Sequence, residues 1–189
     1  VQLLHETKMQ LIEPQKAVSG SRSVNGIEPG ISAVKAPFLW ALGYTGQNTK
    51  LLTFDTGIWP DHPSLRNLFL GKRLPMSQAW YGYDTHFPGD KVNSHGTHVT
   101  GTTMGLDPTT NDTIGIAFNS CILATDPIVS NSADIKSTYD IMRAYEWALN
   151  PDGDTTTTDD MPDVINNSWG RPVADLDSIM CQGWVNDLL

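Results

Sequence analysis

A carboxylate and two imidazoles in this sequence have the types and spacing for proton chemistry. Asp55 ends an apolar run, Lys50-Leu51-Leu52-Thr53-Phe54, and Thr56-Gly57-Ile58 follow it. His95 and His98 stand at i and i+3 in Ser94-His95-Gly96-Thr97-His98-Val99-Thr100-Gly101-Thr102. Imidazole is the side chain whose ordinary pKa lies nearest neutrality, so it can take up and return a proton there. A buried carboxylate can hold an imidazole in one tautomer, or share a proton with a second carboxylate. Each residue also has a plainer reading, a turn aspartate or a structural histidine beside a helix start. Asp-Thr-Gly invites an aspartic-protease reading, but no second Asp-Thr-Gly follows, so that chemistry would need a dimer. Asp55, His95 and His98 as metal ligands is a further reading; it lacks the Glu and the i, i+4 spacing of the helical zinc motif.

The elements around these residues are legible in part. An apolar run that stops at a carboxylate is what the carboxyl end of a parallel strand looks like, where reacting groups gather in α/β proteins. The glycines and threonines around His95 make a helix there costly on propensity alone. Such a run is tolerated where backbones must approach closely. Ahead of it, residues 1–30 show little periodicity and read as an extended arm. Pro37 to Leu42 reads as a short helical turn stopped by Gly43. Residues 59–93 hold no regular element that periodicity supports, and Asp84 and Asp90 within them have no assignable role beyond surface charge or weak cation binding. Cys121 to Thr125 reads as a buried strand, and Ile135 to Leu149 as an amphipathic helix capped by Asp134. That helix is the crossover expected between parallel strands. Residues 150–160 read as an acidic surface insertion, Asp163 to Gly170 as a buried strand ending in small polar residues, and Ala174 to Leu189 as a helix.

Composition narrows the class. The 189 residues suffice for one domain or most of a larger one, and 39% of them are hydrophobic. Lys plus Arg number 12 against 21 Asp plus Glu, for a net charge of −9. That leaves no basic face for nucleic acid. No apolar run approaches the roughly 20 residues that span a bilayer. Val1 to Glu6 has neither an initiator Met nor a signal pattern, and reads as a processed or trimmed end. Cys121 and Cys181 fit no zinc spacing; a disulfide and two buried thiols are both open. Asn111-Asp112-Thr113 is a glycosylation sequon, meaningful in a secretory eukaryotic host.

Asp55-Thr56-Gly57-Ile58, then His62-Pro63, then Ser94 to Thr102, resembles the subtilisin family of serine proteases in motif and in order. Asn166-Asn167-Ser168-Trp169-Gly170, preceded by Tyr145-Glu146-Trp147-Ala148-Leu149, is similar to the bacillopeptidase F branch of that family. The resemblance implies an α/β fold, a mostly parallel central sheet with helices on both faces, incomplete in this chain. It implies that residues 31–189 are the N-terminal portion of a catalytic domain. It implies that Asp55 orients the imidazole, that His95 is the general base toward a serine hydroxyl, and that His98 is structural. Ser130, Asn131 and Ser132 would run beside the substrate backbone, and Ser168, Trp169 and Gly170 would wall the pocket for its side chain. Asn166 is not the oxyanion asparagine, which lies later in the family. No cofactor is implied. A structural calcium ion is disfavoured, because Ser64 stands where an Asp is usual. The setting implied is secreted or cell-surface.

The nucleophile is missing from the pattern. No serine here stands in Gly-Thr-Ser or Gly-x-Ser-x-Gly. Loss of that serine forfeits on the order of 10⁶ in kcat, the scale of the subtilisin triad itself. The expectation is therefore an endopeptidase whose Asp and His lie in this chain and whose Ser and oxyanion Asn come from a second chain or a C-terminal remainder. The alternative is a catalytically inactive subtilisin-fold interaction module or isolated fragment.

Overall fold

The computed structural model of the chain describes residues 10–11, 26–83, 85–90, 94–128 and 137–170. Ser130, Asn131, Ser132, Asp84, Asp134, Cys181 and the helix expected over 174–189 lie outside the described residues.

Strand β1 is Gln10–Leu11, and two short helices follow, α1 (Pro29–Ala33) and α2 (Ala36–Ala41). Each helix has a proline in its first turn, where the missing N–H leaves no hydrogen bond unmade. Gly43, at φ +93°, ends the second as expected. Strand β2 is Lys50–Phe54 and stops one residue before Asp55. Residues 59–93 do contribute a strand, β3 (Trp80–Tyr81), contrary to the sequence reading. It is two residues long, too short for any period to show, and its place is set by pairing.

Helix α3 is His95–Met104, β4 (Leu106–Asp107) and β5 (Asp112–Thr113) form a small hairpin, and β6 is Cys121–Thr125. Helix α4 spans Thr138–Ala148, followed by β7 (Val164–Asn166) and β8 (Trp169–Gly170). The cap of α4 is Ser137, which corrects the expected start at Ile135. The Ser137 hydroxyl accepts from the Asp140 N–H at 3.1 Å, and the Asp140 carboxylate accepts from the Ser137 N–H at 3.0 Å. This reciprocal pair is the capping-box arrangement with Asp in place of Glu.

The central sheet has strand order β3-β6-β2-β7, and every pairing is parallel. Strand β2 pairs with β6 along its whole length, from Lys50 against Cys121 to Phe54 against Thr125. Neighbouring β2 residues show what covers the two faces. The Thr53 hydroxyl lies 2.8 Å from that of Thr100 on α3, while the Phe54 ring stacks 4.4 Å from Tyr145 on α4. Successive strand residues point to opposite faces, so helices lie on both sides of the sheet. Leu52, Phe54, Ile122 and Leu123 are fully buried between them. Strand β7 departs from the buried strand expected: Val164 is 55% exposed, because β7 is the edge of the described sheet. Among the described residues no helix is long and apolar enough to cross a membrane, and Cys121 carries no disulfide.

Ser137→Ala should lower stability by about 1 kcal/mol, the usual loss when an N-cap side chain is removed, read from the urea midpoint at unchanged slope.

Candidate active site

Strand β2 delivers Asp55 to the carboxyl edge of the sheet. Its N–H reaches the Thr125 carbonyl at 3.4 Å, and its own carbonyl accepts from the Ile128 N–H at 3.2 Å, so the residue is held by the adjacent strand β6 and the chain just after it. Asp55 is fully buried. His95 opens α3 and is 7% exposed. Its Nδ1 lies 2.7 Å from Asp55 Oδ1, which also accepts from the Thr56 N–H at 2.8 Å. An imidazole that gives its Nδ1 proton to a carboxylate carries its lone pair on Nε2. The pair is thus a base of defined tautomer.

The approach of the two elements depends on glycine. A methyl group on Gly96 would stand 2.1 Å from the Gly57 carbonyl oxygen and 3.2 Å from Asp55 Cβ. Gly57 has φ +106°, and a side chain there would meet the Gly89 carbonyl oxygen at 2.0 Å. The small residues around His95 are therefore the condition for bringing α3 onto the loop after β2. Thr100 adds a second tie within the helix, its hydroxyl donating to the Gly96 carbonyl at 2.7 Å.

Burial pushes the Asp55 carboxyl above its ordinary range, and the hydrogen bond and charge of His95 pull it only partly back. Asp55 Oδ2 is buried with no hydrogen-bond partner among the described residues. A carboxyl raised on folding favours the folded state at low pH. That contribution is lost as pH rises from the unfolded value of 3.8 through the raised one. The site is held against the preference of its own carboxylate.

Of the two histidines only His95 is hydrogen bonded to Asp55, and His98 is exposed. Among the described residues no three His, Cys, Asp or Glu side chains are placed to hold a metal, so the reading of Asp55, His95 and His98 as one ligand set does not stand. Ser64 is buried and its carbonyl accepts from the Leu106 N–H at 3.2 Å. Asp112 Oδ1 is buried without a hydrogen-bond partner among the described residues.

Residues 46–187 match the subtilase family. The chain belongs to that family. It is 35% identical over 166 residues to bacillopeptidase F of Bacillus subtilis (strain 168), covering 82% of this chain and 11% of that protein. It is 30% identical over 149 residues to the major intracellular serine protease of the same organism, covering 79% and 42%. It is 34% identical over 143 residues to subtilisin of Bacillus pumilus, covering 76% and 45%. The chain thus spans less than half the length of these relatives.

In this subtilase the Ser168 hydroxyl accepts from Asn166 Nδ2 at 3.0 Å. The Trp169 indole N–H donates to the Phe54 carbonyl at 2.8 Å, and its ring lies 5.8 Å from that of Phe54. Trp169 therefore folds against the end of β2 and packs on the core. Gly170 pairs with Gln10 and Trp169 with Leu11, antiparallel. Two residues at the site were given no role by sequence reasoning. The Thr56 hydroxyl accepts from the Gly96 N–H at 2.9 Å, and Asp90 accepts from Thr56 and Thr97. Asp90 lies five residues ahead of His95, outside any local capping pattern, so nothing along the chain marks it.

Gly96→Ala should cost about 1–3 kcal/mol or more, because its methyl meets backbone. Gly101→Ala in the same helix, where a methyl meets nothing within 4 Å, should add about 0.5–1 kcal/mol. Asp55→Asn should be at least as stable as the parent at pH 7, with the difference shrinking toward pH 4; thermal melts across that range check the sign.

Proposed function

We propose that this chain is the acid–base portion of a subtilisin-like serine endopeptidase. The observation that carries the reading is the buried 2.7 Å contact between Asp55 and His95, on a chain of this family. Asp55 holds the imidazole with Nε2 as acceptor. His95 takes the proton of a serine hydroxyl as that oxygen attacks the scissile carbonyl, then returns it to the leaving amine. Asp55 stays ionised and stabilises the imidazolium formed between those events. The serine and the oxyanion asparagine come from polypeptide outside these 189 residues, either a second chain or a continuation of this one. Nothing in this acid–base and nucleophilic chemistry calls for a cofactor.

The substrate is an extended peptide whose backbone runs beside Ser130, Asn131 and Ser132, with Ser168, Trp169 and Gly170 walling the pocket for its side chain. Main-chain hydrogen bonds then give affinity with little demand on sequence. Secretion or display at the cell surface fits such an enzyme.

The complete protease containing this chain should be labelled by a serine-directed fluorophosphonate, and labelling should be lost in His95→Ala. Asp55→Asn should lower kcat/KM by on the order of 10⁴, the scale of the subtilisin triad itself, because an amide supports the wrong tautomer. Absence of labelling in folded material would instead favour an interaction module that kept the fold without the chemistry.

A further inference from the structure

The helix that carries His95 does not cap itself. Its N-cap residue, Ser94, sits in the left-handed region at φ 57° and makes no side-chain cap hydrogen bond. The first-turn N–H groups of α3 are satisfied from elsewhere. The Gly96 N–H donates to the Thr56 hydroxyl at 2.9 Å, and the Thr97 N–H donates to Asp90 Oδ2 at 2.7 Å. Both hydroxyls nearby are then aimed by the same carboxylate. Thr56 Oγ1 donates to Asp90 Oδ1 at 2.9 Å, and Thr97 Oγ1 donates to Asp90 Oδ2 at 2.6 Å. With its proton spent on Asp90, the Thr56 oxygen is free to accept from Gly96. The Thr97 oxygen likewise accepts from the Trp59 N–H at 2.9 Å. Asp90 also bridges Gly57 through the backbone.

We propose that Asp90 is a positioning residue for the Asp55–His95 pair, capping the His95 helix from outside it and locking that helix to the loop that follows Asp55. Two consequences follow from the chemistry of the group. First, the arrangement needs an anion. Both carboxylate oxygens accept, and together they receive three donors; an amide can accept on only one side. Asparagine at this position therefore leaves either the Thr56 hydroxyl proton or the Thr97 N–H and hydroxyl proton facing an NH2 group instead of an acceptor. Second, the charge counteracts the helix. The N-terminal end of α3 carries a partial positive charge that disfavours imidazolium at His95, and a carboxylate at that end offsets it.

The charged and titratable groups around His95 among the described residues are few. Asp55 is bonded to Nδ1, and Asp90 lies at the helix end. Asp126 is buried on the far side of Gly57, its Cβ 3.5 Å from where a side chain on Gly57 would begin, and His98 is exposed on the helix. Asp55 meets the first turn of α3 through the His95 ring, whereas Asp90 accepts from its backbone at the Thr97 N–H.

This inference rests on the protease reading for its kinetic consequences, but its electrostatic part can be measured without turnover. In the complete protease, Asp90→Asn should lower kcat about 10- to 100-fold with KM little changed. It should also move the acid limb of the pH–rate profile down by a few tenths to one pH unit. The NMR titration of the His95 ring should move by the same amount, and that readout survives even if the protein proves not to be a protease. Asp90→Glu keeps the charge, so it should leave the titration near the parent value while kcat falls. Thr56→Val should lower kcat without moving the limb, and Thr56→Ser, which keeps the hydroxyl, should lower it less. The proposal is overturned if Asp90→Asn leaves both kcat and the His95 titration unchanged. It is also overturned if Asp90→Glu shifts the titration as far as the amide does; should Asp90→Asn not fold, the glutamate and Thr56 variants decide it alone.

Discussion

A buried carboxylate hydrogen bonded to a buried imidazole is the constraint that the rest of this molecule serves. Removing Asp55 from water disfavours its charge, and the His95 ring at 2.7 Å restores only part of what is lost. An unsupported group of this kind would neutralise or draw in water. Here the fold holds it by backbone contacts to Thr125 and Ile128, from the strand beside it and the chain just beyond. The parallel sheet matters to the site in this sense: it fixes one member of the pair at the end of a strand that is itself buried on both faces.

The other member arrives on a helix that its own sequence disfavours. Residues 95–104 include two glycines and four threonines and no charged residue apart from histidine. What stabilises α3 is external: the Thr53–Thr100 contact, the donors accepted by Thr56 and Asp90, and backbone packed against backbone where Gly96 meets Gly57. Poor local propensity and close tertiary approach are two sides of one requirement, because larger side chains would help the helix and push it away from Asp55. The same glycine that weakens the element permits the 2.7 Å contact.

Much of this was legible in the residue pattern. The strand ending at Asp55, the helix starting at His95, the buried strand Cys121–Thr125 and the family itself follow from apolar runs and short motifs, which are local. The departures have separate physical reasons. Strand β3 is two residues whose partners lie some forty residues away, and no period shows in so short a stretch. The α4 start was misplaced because Ser137 and Asp140 use Asp where the familiar capping pattern has Glu. Val164 is exposed although its strand is apolar, because apolar character marks a strand but does not say whether it is central or at an edge.

Asp55 and His95 stand out as candidates along the chain, because a carboxylate at a strand end and a histidine in a run of small residues are properties of sequence neighbours. The sequence also settled that the usual serine motif is not among these 189 residues. The family resemblance points to His95 over His98, and folding supplies the reason: the two are one helical turn apart, and packing buries His95 against Asp55 and leaves His98 exposed. The tertiary structure alone gave Asp90 a place, and turned Trp169 onto Phe54. These outcomes depend on hydrogen bonds between segments far apart in sequence, and the geometry of such bonds exists only after the strands have paired.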